Sequence, residues 1–326
     1  MTVTASRLPH AESGARQAIQ VRGLHKSFGE QVVLNGIDLS IPQGSVFSLL
    51  GPNGAGKTTV VRILATLTPP DSGTVLVDGN DLATSPGAVR GSIGVTGQFS
   101  AVDGFLTAEE NLLLMGDLWH LPKRECRSRA QELLELFGLT DTGKKPVMTF
   151  SGGMKRRLDL AMTLAGSPRI IFLDEPTTGL DPRSRRNMWE LIERLVHDQA
   201  VTIFLTTQYL EEADRLADQI AVLDGGRIVA QGTGEQLKSQ VPGGHVVLTF
   251  ADTTTMDAAA SRLGENVTRN PDTFTLNVPS DNSASSVRDL LARIEADTVT
   301  QFSLHSPDLD DVFLALTGQA GGEAKR

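Results

Sequence analysis

The chain has 326 residues, of which 40% are hydrophobic and 21% charged, with a formal net charge of -9. That composition belongs to folded globular proteins, and an acidic balance without a dense basic block excludes a nucleic-acid stripe as the organising feature. The single cysteine, Cys126, excludes an internal disulfide and fits a reducing cytoplasm; in the polar stretch Lys123–Arg129 it reads as an incidental thiol.

Residues 1–17 are polar, without the apolar segment of a signal peptide, and read as a flexible tail. Ile19–Val21 and Val32–Val33 are β-branched runs, with turns marked by Gly29-Glu30 and Pro42-Gln43-Gly44. The apolar run Val46–Leu50 then leads into Gly51-Pro52-Asn53-Gly54-Ala55-Gly56-Lys57-Thr58, and Thr59–Leu67 is compatible with a helix. Strand, G-x-x-x-x-G-K-T loop and helix form the context of a phosphate-binding loop. Glycines let the backbone turn its N–H groups inward, and the helix start adds unpaired N–H groups and a positive dipole end. The spacing puts Lys57 at the β- and γ-phosphates of a nucleotide and the Thr58 hydroxyl at Mg²⁺. Gly51 to Thr59 are the candidate phosphate contacts.

Pro69–Gly73 breaks the chain, and Thr74–Val77 is a short strand. From about Thr107 to Gly166 the pattern is helical. Thr107 followed by Glu110 is a capping box for the run carrying Leu112, Leu113, Met115, Leu118 and Trp119, with Trp119 assigned to packing between helices. A second helix spans about Glu125–Phe137, and a third opens at Ser151-Gly152-Gly153. That start is either a second anion-binding helix N-terminus or a plain serine cap.

Ile170–Leu173 is an apolar run of the buried parallel kind, ending in Asp174 and Glu175. Ligands of parallel α/β sheets lie at the carboxyl ends of strands, so these acids should face the phosphate loop. Asp174 is placed to hold Mg²⁺, directly or through water, and Glu175 to orient and deprotonate the attacking water. Helix Met188–Val196, strand Val201–Leu205, helix Tyr209–Ala217 and a hairpin at Asp224-Gly225-Gly226 follow. This alternation predicts an α/β fold, a parallel sheet with helices on both faces. The longest apolar runs fall far short of the about 20 residues that span a bilayer, so any membrane role needs another chain.

Residues 238–244 read as a linker, containing Pro242-Gly243-Gly244. Beyond it, residues 245–317 form a smaller α+β unit: strands at Val246–Phe250, Thr273–Val278 and Val299–Leu304, and helices at Thr255–Leu263 and Ser286–Ala296. A final helix, Leu309–Leu316, carries Leu309, Val312, Phe313 and Leu316 on one face. That face fits either docking or packing within its own unit. Residues 318–326 read as a loose tail.

Taken together, the phosphate loop, Phe150-Ser151-Gly152-Gly153-Met154, the Leu173-Asp174-Glu175-Pro176 strand end and Gly179-Leu180-Asp181 resemble the ATP-binding subunit of an ABC transporter over about residues 19–237. Val95–Gln98, Ser151–Asp159, Thr206–Asp214 and Leu309–Gly318 narrow the resemblance to the daunorubicin/doxorubicin-resistance group of ABC exporters.

The resemblance implies a P-loop NTPase cassette over residues 18–237. It would have a parallel-sheet core, an antiparallel β subdomain and a helical subdomain at about 98–166, with ATP and Mg²⁺ as ligands. Gln98 corresponds to the glutamine that contacts Mg²⁺ and the attacking water. Phe28 corresponds to the aromatic residue that stacks on adenine, ordinary core packing being the alternative. Ser151, Gly152 and Gly153 correspond to the signature that binds the γ-phosphate held by the opposite subunit, and Asp181 to the loop aspartate that crosses the dimer interface. Met154 stands where many relatives have glutamine, and Gln208 where most have a histidine that contacts the γ-phosphate. Gln208 lacks the histidine's charge but keeps a hydrogen-bond donor.

The expected partners are a separate membrane permease and a second copy of this chain, at the cytoplasmic face of the membrane, with no nucleic acid. The expected function is ATP-driven export of a hydrophobic drug. A lipid or other natural product is the alternative cargo, and a soluble non-transport ATPase the alternative class. One cassette without an internal repeat, and no room in residues 98–166 for a long coiled coil, weigh against the soluble translation and DNA-repair types. The C-terminal unit carries no paired acids, metal-ligand spacing or glycine-rich loop, and is read as support for dimerisation, regulation or docking.

Overall fold

A computed structural model describes residues 16–97, 101–239, 244–264, 267–280, 283–294, 298–305 and 308–320. The chain divides into two compact units after Gly234.

In the first unit, strands β1 (Gln17–Phe28) and β2 (Gln31–Pro42) form a long antiparallel pair. Strand β3 (Val46–Leu50) is wholly buried and runs into helix α1 (Lys57–Leu64). Strands β4 (Ser72–Val77) and β5 (Asn80–Asp81), helix α2 (Pro86–Ser92) and strand β6 (Ile93–Thr96) follow. Helices α3 (Ala108–Leu118), α4 (Lys123–Leu136) and α5 (Gly152–Thr163) make up the helical stretch. The alternating part resumes with β7 (Ile170–Asp174), α6 (Pro182–Gln199), β8 (Thr202–Thr207), α7 (Leu210–Leu216), β9 (Gln219–Asp224) and β10 (Arg227–Gly232).

Two sheets result. One is antiparallel in the order β2-β1-β4-β5; the other has the order β10-β9-β3-β8-β7-β6. In the larger sheet β9, β3, β8, β7 and β6 are mutually parallel, and only the edge strand β10 is antiparallel. Side chains of a strand alternate between faces, and here each face has its own core. Ile171, Leu173, Ile203 and Leu205 pack against the helical side, with Leu158, Leu160, Trp189 and Ile192. Ile170, Phe172, Phe204 and Phe47 pack on the other side, with Val60, Ile63 and the antiparallel sheet. The predicted parallel sheet covered on both faces is therefore present. Strand β6 and helix α2 are additions to the sequence reading.

Helices α3 and α5 begin where the sequence marks them. Thr107 and Glu110 form a reciprocal capping box at α3, Ser151 caps α5 through Met154 N–H, and Asp181 caps α6 through Arg183 and Ser184 N–H. The cap at Asp181 starts α6 earlier than the apolar periodicity suggests. Trp119 packs on Gly166, where an added Cβ would lie 2.3 Å from its ring. Cys126 is buried against Gly116 and donates to Leu113 O at 3.3 Å.

Helix α8 (Gly234–Lys238) spans the division between the units. The second unit contains β11 (His245–Phe250), α9 (Thr253–Leu263), β12 (Thr268–Asn270), β13 (Thr275–Pro279), α10 (Ala284–Leu291), β14 (Val299–His305) and α11 (Leu309–Ala320). Its antiparallel sheet has the order β12-β13-β11-β14, and Val246, Leu248, Leu276 and Val278 pack against Met256, Ala260, Leu263 and Leu290. Leu309 and Val312 of the last helix are buried. The Leu316 side chain, Ala296 and most of the expected linker and tails lie outside the described residues. Among the described residues no helix is long and apolar enough to cross a membrane.

Candidate functional site

The site forms where β3, β7 and β8 end side by side. Leu50 pairs with Thr207, and Asp174 with Thr206, so the loop after β3 and the acids after β7 emerge from one edge of the sheet. The loop wraps tightly. Gly51 has no room for a side chain, since a Cβ there would meet Leu223 O at 2.3 Å. Gly56 has φ +110°, in the region that favours glycine, and packs on Val33 and Leu34.

This wrapping aims Lys57 into the loop. Its Nζ donates to Gly51 O at 2.8 Å and Pro52 O at 3.1 Å, and stands 3.5 Å from Glu175 Oε1. Burial pulls the ammonium below the ordinary lysine range, opposed by the charges of Glu175 and Asp174. Thr58 Oγ1 donates to Asp174 Oδ1 at 3.3 Å, and the same oxygen accepts from Thr206 Oγ1 at 2.6 Å. The other Glu175 oxygen, Oε2, accepts from Thr178 Oγ1 at 3.3 Å. Glu175 has φ +50°, and its N–H bonds to both Thr206 O and Thr206 Oγ1. Lys57, Thr58, Asp174 and Glu175, expected together from the sequence, are together.

Ser151, Gly152 and Gly153 form a second group with Asp181. Ser184 Oγ donates to Asp181 Oδ2 at 2.5 Å, and a Cβ on Gly153 would lie 2.6 Å from that same Oγ. Ser151 and Gly152 are exposed. Among the described residues no hydrogen bond joins Ser151, Gly152 or Gly153 to the phosphate loop. Phe28, at the end of β1, is 53% exposed with Lys26 Nζ 5.3 Å from its ring centre, so it is not a core residue. Gln208 is half-buried one residue beyond β8. Gln98 lies outside the described residues.

Three further site neighbours are not singled out by the sequence analysis. Half-buried Arg156 and buried Asp159 of α5 form an ion pair at 3.2 Å, and Glu212 of α7, fully buried, accepts from Thr177 Oγ1 and Trp189 Nε1. In the sequence they show as charge on the apolar face of a helix, within the stretches Ser151–Asp159 and Thr206–Asp214.

The phosphate-loop pattern at the end of β3 and the Ser151-Gly152-Gly153 start of α5 resemble those of an ATP-binding cassette, and comparison with known proteins agrees. The family model described as ABC transporter matches residues 34–178. An ATP-binding cassette of an ABC transporter, solved in its ADP conformation, superposes with TM-score 0.62 at 25% identity, covering 68% of this chain and 92% of that one. A dimeric cassette in a post-hydrolysis state with ADP and Pi gives TM-score 0.60 at 26% identity, covering 66% and 98%.

The chain belongs to the ABC transporter family, as an ATP-binding subunit. Within that family it is 46% identical to the daunorubicin resistance ATP-binding protein DrrA3 of Streptomyces coeruleorubidus, over 93% of this chain and 97% of that protein. It is 43% identical to the doxorubicin resistance ATP-binding protein DrrA of Mycobacterium tuberculosis, over 92% and 93%. The Nod factor export ATP-binding protein I of Ralstonia nicotianae is 38% identical over 94% and 95%.

Proposed function

We propose that this subunit hydrolyses ATP to drive export of a hydrophobic drug through a separate membrane permease, working as a pair of copies at the cytoplasmic face of the membrane. The observation that carries the hydrolytic reading is the Lys57–Glu175 pair at 3.5 Å, set among Thr58, Asp174 and Thr206 at the sheet edge.

Each residue then has a task. Lys57 Nζ is held by Gly51 O, Pro52 O and Glu175. The β- and γ-phosphates of ATP offer it stronger, charge-assisted acceptors. Lys57 turns to them, and Glu175 Oε1 is released to accept a proton from the attacking water. Thr178 keeps hold of Oε2 and so fixes the carboxylate's orientation. The donor set around Asp174 Oδ1 is oxygen only, with Thr58 Oγ1 beside it, which suits a hard divalent cation such as Mg²⁺. When bound there, Mg²⁺ would neutralise charge building up on the phosphates. Phe28, exposed at the end of β1, is free to stack on adenine.

The exposed start of α5 supports a role in trans. Ser151, Gly152 and Gly153 of one copy would bind the γ-phosphate held by the other, with Asp181 crossing between them. Hydrolysis removes the bridge and the pair opens. Drug export rests on the relatives named for daunorubicin and doxorubicin resistance. The test is anthracycline accumulation in cells expressing this chain with a permease of about six spanning helices. Lower accumulation with the wild-type chain than with Glu175→Gln supports the reading. Equal accumulation moves the cargo to another class, such as a lipid.

A further inference from the structure

A guanidinium has five N–H donors in one rigid plane, and at Arg156 all five are used. Nε donates to Pro176 O at 2.9 Å. Nη1 donates to Gly97 O at 2.8 Å and Asp159 Oδ2 at 3.2 Å. Nη2 donates to Asp174 O at 3.2 Å and Glu175 O at 3.4 Å. One side chain thus holds three consecutive carbonyls of the turn that presents the two acids. The middle one belongs to Glu175, whose φ of +50° lies in the left-handed region sparsely populated by residues with a side chain.

Asp159 extends the arrangement. Its Oδ2 accepts from Arg156, and its Oδ1 accepts from Ala101 N–H at 3.1 Å. Burial pushes the Asp159 carboxyl up, opposed by the Ala101 N–H and the Arg156 charge. A buried charge pair is costly unless its remaining groups are satisfied, and here both partners are. Thr177, the next residue of the turn, is held from the other side by Glu212. Arg156 itself lies on α5, a few residues beyond Ser151-Gly152-Gly153.

We propose that Arg156 is a positioning residue for hydrolysis. It holds the Asp174–Pro176 turn in the conformation that aims Glu175, and ties that turn to the helix that carries the signature. It touches neither nucleotide nor water; it acts through the backbone of Glu175. Lysine cannot replace it, because a tetrahedral ammonium with three donors does not span three successive carbonyls and Gly97. This inference rests on the ATPase reading above.

The test measures ATP hydrolysis, ATP affinity and thermal unfolding of the full chain as wild type, Arg156→Lys, Arg156→Gln and Glu175→Gln. Misplacement of the base predicts, in folded Arg156 variants, a kcat lower by about a hundredfold with ATP affinity within about threefold of wild type. Loss of kcat and affinity together, or loss of the unfolding transition in both variants, makes Arg156 a folding element and overturns the proposal. So does wild-type kcat in a folded variant. The controls separate the two readings. No hydrolysis by wild type, or undiminished hydrolysis by Glu175→Gln, sinks the ATPase reading itself. A silent Glu175→Gln beside a fully active Arg156→Lys sinks only the positioning role.

Discussion

Lys57 Nζ and Glu175 Oε1 stand 3.5 Å apart, with side chains 4% and 9% exposed. The loop lysine and the strand-end acid therefore hold each other. Removing one partner of such a buried pair leaves the other charge uncompensated. Lys57→Ala should weaken ATP binding by about 10- to 100-fold, the worth of a hydrogen bond to a charged group. It should also lower the melting temperature without nucleotide. Adding Glu175→Gln should recover part of that loss, since the amide needs no counter-ion. A double mutant less stable than Lys57→Ala would show that the pair does not matter to the empty site. Thermal melts of the four variants decide this.

Gln208 offers a second test. If its amide donates to the γ-phosphate, Gln208→Ala should slow hydrolysis by about tenfold, the worth of one hydrogen bond to a charged acceptor. Glutamine does not titrate, whereas Gln208→His would bring a group with a pKa near 6.5 into the same place. The histidine variant should gain a pH dependence of turnover in that range that the wild type lacks. Wild-type turnover in Gln208→Ala would remove Gln208 from the site.

The contact between α3 and α4 depends on a missing side chain. A Cβ on Gly116 would lie 2.2 Å from Cys126 Sγ. Gly116→Ala should destabilise the domain by about 1–3 kcal/mol, the usual cost of overpacking. Adding Cys126→Ala makes room and should return most of that loss. Additive effects in urea melts of the two single variants and the double would refute the contact.

The capping box at α3 gives a pH prediction with a definite sign. The Thr107 N–H and hydroxyl both donate to Glu110, at 2.8 Å each, and hold its carboxyl below the usual range. A carboxylate with a depressed folded pKa contributes stability above its unfolded pKa and loses it as pH falls through the folded value. Wild type should therefore be more stable than Glu110→Gln at neutral pH. The difference should shrink as pH falls through the carboxylate range, about 4 and below. A difference that is constant from pH 7 to about 3 would contradict the assignment.

What the sequence made legible, and what it hid, follows from range. The phosphate loop and the Asp174-Glu175 strand end are short, contiguous and chemically distinctive, so spacing alone placed them on one edge of a sheet. The capping box at Thr107 is equally local. Strands β1 and β2 were caught only in fragments, because register shifts between Val21 and Leu24 and at Lys26/Ser27 break the alternation that marks a strand. Strand β6 has four residues, one of them Gly94, which a Cβ would bring within 2.5 Å of Thr163 Cγ2. A glycine chosen for a contact 69 positions away reads locally as a loop residue. The charged neighbours of Cys126 in sequence give no sign that it packs on Gly116. Arg156 and Glu212 carry the same lesson at the site. Their partners lie 20 and 35 residues away, and the charge on a helix's apolar face is a local signal that does not name them.

The role of Glu175 is open to one direct measurement: ATP hydrolysis by the purified Glu175→Gln chain, with bound nucleotide quantified in the same sample. If Glu175 takes the proton from the attacking water once Lys57 has moved to the phosphates, kcat falls by about 10²- to 10⁴-fold while ATP remains bound. Hydrolysis at the wild-type rate by a chain that binds ATP normally would contradict it.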